Sequence, residues 1–347
     1  MHPAGTTLRL SEQDEYMHPL EAASNFNESM YFNLFDHRQK MGGWFRLGNR
    51  PNEGHAEMSC CLYLPDGRVG FMYQRPDLNH NDAFDAAGMR FEVVEPFRQL
   101  QLGYQGMLCV LDEPQQMENP RDAFTRNPLL PCRLRLTFND LAPAFGGEPV
   151  QADGQPIALD PEKSFARGHY EQHLSGSGDL QIGEESFRIS GYGLRDHSWG
   201  PRYWQNIYWY RWLPLVFNEN LAMMLSVITQ RSGASLHWGV VMTRDAQGRV
   251  TNDMVSEIRL ASDYDDRQQA IGQTAEFRTE GGVDYRLSGR ALSLIPLRNR
   301  RKDTQGRELH TRITEAMTEF TCNGHTGYGM AEYLDQMIDG RPAGFPA

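Results

Sequence analysis

The stretch Ile189-Ser190-Gly191-Tyr192-Gly193-Leu194-Arg195-Asp196-His197-Ser198-Trp199-Gly200-Pro201-Arg202 gathers an acid, an imidazole, two guanidinium groups and an indole into one short run. It continues the alternation of Phe187-Arg188-Ile189, which reads as a β-strand. On a strand, Tyr192 and Asp196 fall on one face and Arg195 and His197 on the other. The strand is expected to give way to a loop near Asp196. Gly191, Gly193 and Gly200 leave room for a ligand to come close to the backbone. Asp-His-Ser-Trp between glycines suits acid–base chemistry in an aromatic pocket. A carboxyl in such a pocket keeps its proton toward neutral pH, so Asp196 is the candidate acid. His197 is the candidate base or relay. The same letters also fit a turn clamped by an Asp196–Arg202 or Asp196–Arg195 ion pair, with Trp199 in the core.

Working outward, Tyr203-Trp204-Gln205-Asn206-Ile207-Tyr208-Trp209-Tyr210-Arg211-Trp212 is the most aromatic segment of the chain. As one strand it would line up Trp204, Tyr208, Tyr210 and Trp212 as either a core or a cavity wall able to stabilise positive charge. His169-Tyr170-Glu171-Gln172-His173 would suit zinc on a helix, but its surroundings read as strand. There its histidines stand roughly 13 Å apart. No metal is expected, and His169 and Glu171 stay open to hydrogen-bonding or acid–base roles. Glu332, between Gly-x-Gly and an apolar run, is a candidate second carboxylate or a surface residue.

Strand-like runs punctuated by turns dominate elsewhere. Cys60–Leu64 and Val69–Tyr73 flank Pro65-Asp66-Gly67-Arg68 and predict a hairpin. Trp238–Ile258 echoes it around Asp-Ala-Gln-Gly-Arg-Val. Short helices are expected at Glu12–Met17 and at Asp263–Ile271, the latter capped by Ser262. Residues 145–163 are rich in Gly, Pro and Asp and read as a linker, and 339–347 as an irregular tail.

The 347 residues suit two domains, and 45 acidic against 34 basic side chains give a net charge of −11. That argues against nucleic acid or an anionic membrane as partner. Five cysteines without a CxxC form neither a disulfide framework nor a zinc site, and reduced thiols of a cytoplasmic protein are expected. No leader peptide is visible, and no apolar run approaches the roughly 18 residues of a membrane-spanning helix. Walker, GxGxxG, GxSxG and HExxH motifs are absent, so nucleotide chemistry and serine hydrolysis are unsupported.

Gly191–Arg202 resembles the signature of the lipocalin-like superfamily that contains the carotenoid 1,2-hydratases (hydroxyneurosporene synthases), with Diels–Alderases among its relatives. His169–Gln172, Gly329–Tyr333 and Asn27–Arg46, with its Gly-Gly-Trp-Phe-Arg, resemble other marks of the group, and the spelling is nearer its bacterial members. The resemblance implies an all-β fold of two tandem calycin antiparallel β-barrels with few short helices. The expected layout is an N-terminal extension (1–25), a first barrel (26–160) and a second (161–347), with a hydrophobic cavity near their junction. It implies no cofactor. It implies a lyase or isomerase (hydratase, dehydratase or cyclase) that protonates a terpenoid-like alkene. Asp196, His197, Tyr192 and Glu171 would be catalytic, and Trp199, Arg202, Trp204, Tyr208, His169 and Glu332 would bind substrate. Other readings are a carrier of a hydrophobic ligand, which needs no acid, and a pericyclase that positions a polyene. The expected partner is a small hydrophobic substrate, and a homodimer is allowed.

Overall fold

The computed structural model describes residues 6–161, 164–302, 306 and 308–346. Its strands are β1 (Thr7–Arg9), β2 (Phe26–Asp36), β3 (Met41–Arg50), β4 (His55–Tyr63), β5 (Val69–Gln74), β6 (Asp85–Ala86), β7 (Met89–Glu95), β8 (Gln99–Leu111), β9 (Leu129–Asp140), β10 (Phe145–Val150), β11 (Gly168–Ile182) and β12 (Glu185–Pro201). The chain continues with β13 (Ile207–Asn218), β14 (Leu221–Gln230), β15 (Ser235–Arg244), β16 (Val250–Tyr264), β17 (Ala270–Thr279), β18 (Asp284–Lys302), β19 (Glu308–Cys322), β20 (His325–Ile338) and β21 (Arg341–Pro342). Both predicted hairpins are present, one between β4 and β5 and one between β15 and β16.

The chain divides into two compact units. One takes residues through Leu62, Gly70–Val110 and Pro128–Asn206; the other takes Tyr63–Val69, Leu111–Asn127 and Ile207 onward. In the first, β2-β3-β4-β5-β8-β9-β11-β12 run in sequence around the sheet, and β12 pairs back onto β2 to close it. Closure removes the open edges a sheet would otherwise present. Side chains of period two fill its interior: Phe32 stacks on Phe138 at 4.9 Å and meets Phe91 edge-on at 5.0 Å. In the second unit β13 through β20 close in the same way, through the β13–β20 pair. Leu213, Leu215, Phe217, Phe277, Leu287 and Phe320 fill that barrel.

The all-β tandem-barrel expectation is met, but the boundary falls at Asn206/Ile207 rather than at 160/161. The reason is closure: β11 and β12 are the staves that join β9 to β2. The stretch read as a linker is likewise part of the first unit, because Phe145–Val150 forms β10 and pairs with β1 and β11. The N-terminal segment is not an appendage, since Glu15 is buried in the first unit. The helix expected at Asp263–Ile271 is a hairpin turn. The Asp265 carboxylate accepts the backbone N–H groups of Arg267 and Gln269 at 3.0 and 2.8 Å, a local bond that outcompetes helix. Of the 339–347 tail, Arg341 and Pro342 pair with β20, and the Gly344 N–H donates to Asp335. All five cysteines are buried and none is in a disulfide among the described residues. Among the described residues, no helix is long and apolar enough to cross a membrane.

Candidate functional site

The opening stretch does not break at Asp196. It stays in β12 as far as Pro201 because both neighbours, β11 and β2, remain hydrogen-bonded to it. Gly191 and Gly193 serve this packing rather than a ligand. A Cβ at Gly193 would lie 1.9 Å from the Asn33 carbonyl oxygen, and one at Gly191 2.0 Å from that of Phe35. Alternation therefore sorts the whole cluster onto two faces, and the two faces do different work.

The inward face carries a buried relay. Arg195 is fully buried and pairs with Glu15, its Nη1 donating at 3.1 Å. The same guanidinium donates to Gln172 and to the Tyr170 hydroxyl at 3.2 Å. The Tyr170 hydroxyl lies 3.3 Å from His197 Nδ1, and His197 Nε2 lies 3.0 Å from Glu28. A carboxylate only accepts, so Nε2 carries the proton and Nδ1 accepts from Tyr170. Glu28 also accepts from the Nδ1 and backbone N–H of His18 and from Asn81. Burial alone would raise Glu28, but the hydrogen bonds from His18 and His197 overcome it and hold the carboxyl at about 2. His18 stacks on Trp199 with ring centres 3.9 Å apart. Its pKa is raised, because Glu28 and Asp14 outweigh burial. His18, Glu28 and His197 have the atoms and proximity to hold a metal ion, but each contact is already a good hydrogen bond.

The other face carries the groups that suit acid–base chemistry. Register sets Glu171, Asp196, Tyr31 and Arg46 in one row across β11, β12, β2 and β3. His169, Ser198, Ser29 and Gly48 form the next row. His169 Nε2 is 3.6 Å from Glu171 and 3.9 Å from Asp196. Side-chain exposure is 30% for His169, 24% for Asp196 and 2% for Glu171, so an imidazole and one carboxylate are reachable over a buried second carboxylate. Burial lowers the His169 pKa, but its bond to Asp196 and the charges of Glu171 and Asp196 carry it above its ordinary value. Arg202 donates to the Ser198 hydroxyl at 2.5 Å and lies over Phe165 at 4.0 Å and Trp204 at 5.1 Å. Burial, then the charge of Arg46, pushes Arg202 down to about 9. Tyr31 and Trp44 stack at 6.2 Å on the same face.

Of the residues singled out from sequence, Asp196, Glu171, His169, Arg202 and Trp204 belong to this face. His197 and Trp199 point the other way, into the first barrel. Tyr192 shares the parity of Asp196 but sits four residues along the strand, roughly 13 Å away, against His37. The aromatic run is not one strand: Trp204–Asn206 is a 3-10 turn, so Trp204 ends in the first unit while Tyr208 lies in β13 of the second. Tyr208 there lies under Arg231. Neither clamp imagined for Asp196 forms, since Arg195 pairs with Glu15 and Arg202 bonds to Ser198.

Glu332 lies on β20 of the second unit, directly across from Glu315, and receives the Tyr210 hydroxyl. Glu315 was missed because nothing in Ile313-Thr314-Glu315-Ala316 distinguishes it from a surface strand residue. It is buried, and burial pushes its carboxyl up to about 8. Arg46 and Trp44 were visible only as part of a resemblance. Their signal is the parity of Trp44, Arg46, Gly48 and Arg50 on β3. The second unit also contains a cavity of about 550 Å³ lined by Trp209, Val227, Ile258, Leu260 and Tyr264, among others.

Two closed eight-stranded antiparallel barrels in one chain define a double lipocalin-like protein. The chain belongs to the family described as a domain of unknown function, DUF7064, which matches residues 11–337. Among solved structures it is similar to a protein described as AttH from Nitrosomonas europaea (14% identity, 96% of this chain and 97% of that one, TM-score 0.52). It is also similar to CghA with Sch210972 (13% identity, 95% and 98%, TM-score 0.55). Kievitone hydratase from Nectria haematococca aligns at 8% identity over 96% and 97%, with a TM-score of 0.49. No curated protein matches the chain by sequence.

Proposed function

We propose that this protein is a lyase or isomerase that moves a proton onto a hydrophobic, terpenoid-like small molecule, with Asp196 as the donor. The observation that carries the reading is His169 set between Asp196 and Glu171 beside an aromatic surface of Tyr31, Trp44 and Trp204. The proton passes from Asp196 to one carbon of an alkene, leaving its neighbour electron-poor. Aromatic faces stabilise that cation. In hydration, a water oxygen bonds to the cationic carbon and gives its surplus proton to the Asp196 carboxylate, so that H and OH have been added across the double bond. Dehydration runs the same steps backward. In isomerisation the cation instead loses a neighbouring C–H proton to the Asp196 carboxylate; in cyclisation an internal alkene attacks first, and the new cation then loses a C–H proton to that carboxylate. His169 exchanges protons with Asp196, and Glu171 favours its charged form. CghA, which has a similar fold, is seen with Sch210972.

The test begins with ligand co-purified from the native cells and identified by mass spectrometry, then incubated with the protein in D2O. Deuterium on carbon in the product is expected. Asp196→Asn should cut turnover by roughly 10²–10⁴-fold, the usual worth of a positioned acid, with the fold and ligand affinity kept. Turnover unchanged in that variant, or product free of deuterium, sinks the proposal; the latter would favour a pericyclase. Glu315 is the alternative donor, because its carboxyl retains its proton to about 8; Glu315→Gln is its matching test. A carrier is favoured by the cavity at Trp209 and Tyr264. Under that reading Trp209→Ala weakens ligand binding and Asp196→Asn changes nothing.

A further inference from the structure

The face that carries Asp196 also holds buried guanidinium N–H groups that make no hydrogen bond. Arg202 is 5% exposed and Arg50 is fully buried. Arg202 has no carboxylate within salt-bridge distance among the described residues. Its Nε, the Nη2 of Arg46 and the Nη1 of Arg50 are all buried without a hydrogen-bond partner. The Trp44 Nε1 is a fourth such donor on the same face. Buried donors are almost always satisfied, and a cluster of open ones marks a place where a ligand supplies the acceptors. Beside these open donors, Glu53 takes the Nε and Nη2 of Arg50, and Glu57 takes the Nη1 of Arg46.

We propose that this cluster is an anion subsite, in which Arg202 and Arg46 grip a carboxylate carried by the hydrophobic substrate. The placement fits. Arg202 reaches the Ser198 hydroxyl, and the Arg46 guanidinium lies over Gly48, where a Cβ would come within 2.8 Å of its Nη2. Ser198, Ser29 and Gly48 are consecutive in one row across β12, β2 and β3. Two strand spacings separate the outer positions, roughly 10 Å. That is about the span of two guanidinium groups flanking one carboxylate, with the Ser29 hydroxyl beneath it. Phe165 covers one face of Arg202, leaving its Nε edge to bind in the planar, forked manner arginine uses for carboxylates. Gly48 is the residue that makes room for this arrangement. The proposal rests on the reading of this face as a substrate site and adds the substrate's class: an acid, anchored by its charge while its apolar part meets the aromatic surface.

The test compares octanoate with octan-1-ol, equal in length and differing in charge, by titration calorimetry on the full chain. Wild type should bind octanoate at least roughly ten-fold more tightly. Arg202→Gln should bring that preference close to one, with the melting transition retained. Where Arg202→Gln fails to fold, Gly48→Ala decides: it removes no charge but crowds Arg46, and loss of the preference supports the subsite. Equal binding of the two probes, undetectable binding of octanoate, or a preference intact in a folded Arg202→Gln or Gly48→Ala protein overturns it. Asp196→Asn removes a negative charge beside Arg202 and should keep the preference or increase it. An Asp196→Asn protein with full turnover and an intact preference would remove the proton-transfer reading and leave the anion subsite standing.

Discussion

Glu315 and Glu28 show how one residue type is driven in opposite directions by its surroundings. Glu315 is buried and its Oε2 accepts no hydrogen bond, so its neutral form is favoured up to about 8. In the unfolded chain it ionises near 4.5, so stability is lost as pH rises from 4.5 through about 8, by on the order of 5 kcal/mol. Glu315→Gln should therefore raise the melting temperature at pH 8 and change it little at pH 4.5. Glu28 is the reverse case, held at about 2 by its hydrogen bonds. Its contribution is complete above 4.5 and lost as pH falls through about 2, roughly 3 kcal/mol in all. Glu28→Gln should lower stability at pH 7 and flatten the acid limb of a denaturant-unfolding series. Arg195 belongs with Glu28: Arg195→Met strands Glu15 as a buried charge and should cost about 3–5 kcal/mol in the same measurement.

At the scale of the element, β12 explains both what was legible in the sequence and what was not. Period two in Phe187–Arg195 was readable, and so was the parity that separates Asp196 from His197. The expected break near Asp196 was not real, because sequence alone does not show that β2 and β11 flank this strand over its whole length. Its glycines were read as ligand clearance, yet they let β2 approach. Gly193→Ala must push β2 from β12 and should destabilise by roughly 2–4 kcal/mol, measured by chemical unfolding, with no change in the ratio of octanoate to octan-1-ol affinity. Glu315 was invisible, and Arg46 and Trp44 visible only through a resemblance, for a related reason. Each lies on a strand whose sequence would serve equally well with that face in water, and only pairing across the sheet places Arg46 in line with Asp196.

For the whole molecule, the shift of the boundary from 160/161 to Asn206/Ile207 matters more than a change of numbers. Composition marked residues 145–163 as a break because Gly, Pro and Asp cluster there, but such residues also serve edge strands and turns within one unit. The pairing of β2 with β12 joins residues more than 150 positions apart, Tyr31 with Asp196 among them. On a ribosome, the first barrel therefore waits with its β2 partner missing until more than half of the polypeptide has been made. Contacts so distant in sequence close slowly, and the waiting strands present unpaired edges. A chain released at residue 160 lacks β11 and β12 and should give no near-ultraviolet circular dichroism signature of packed aromatics, collecting instead in aggregates on size-exclusion chromatography. The last staves to be synthesised bear Asp196, Glu171 and His169, so the barrel's completion and the birth of its reactive surface are a single event in the life of the nascent chain.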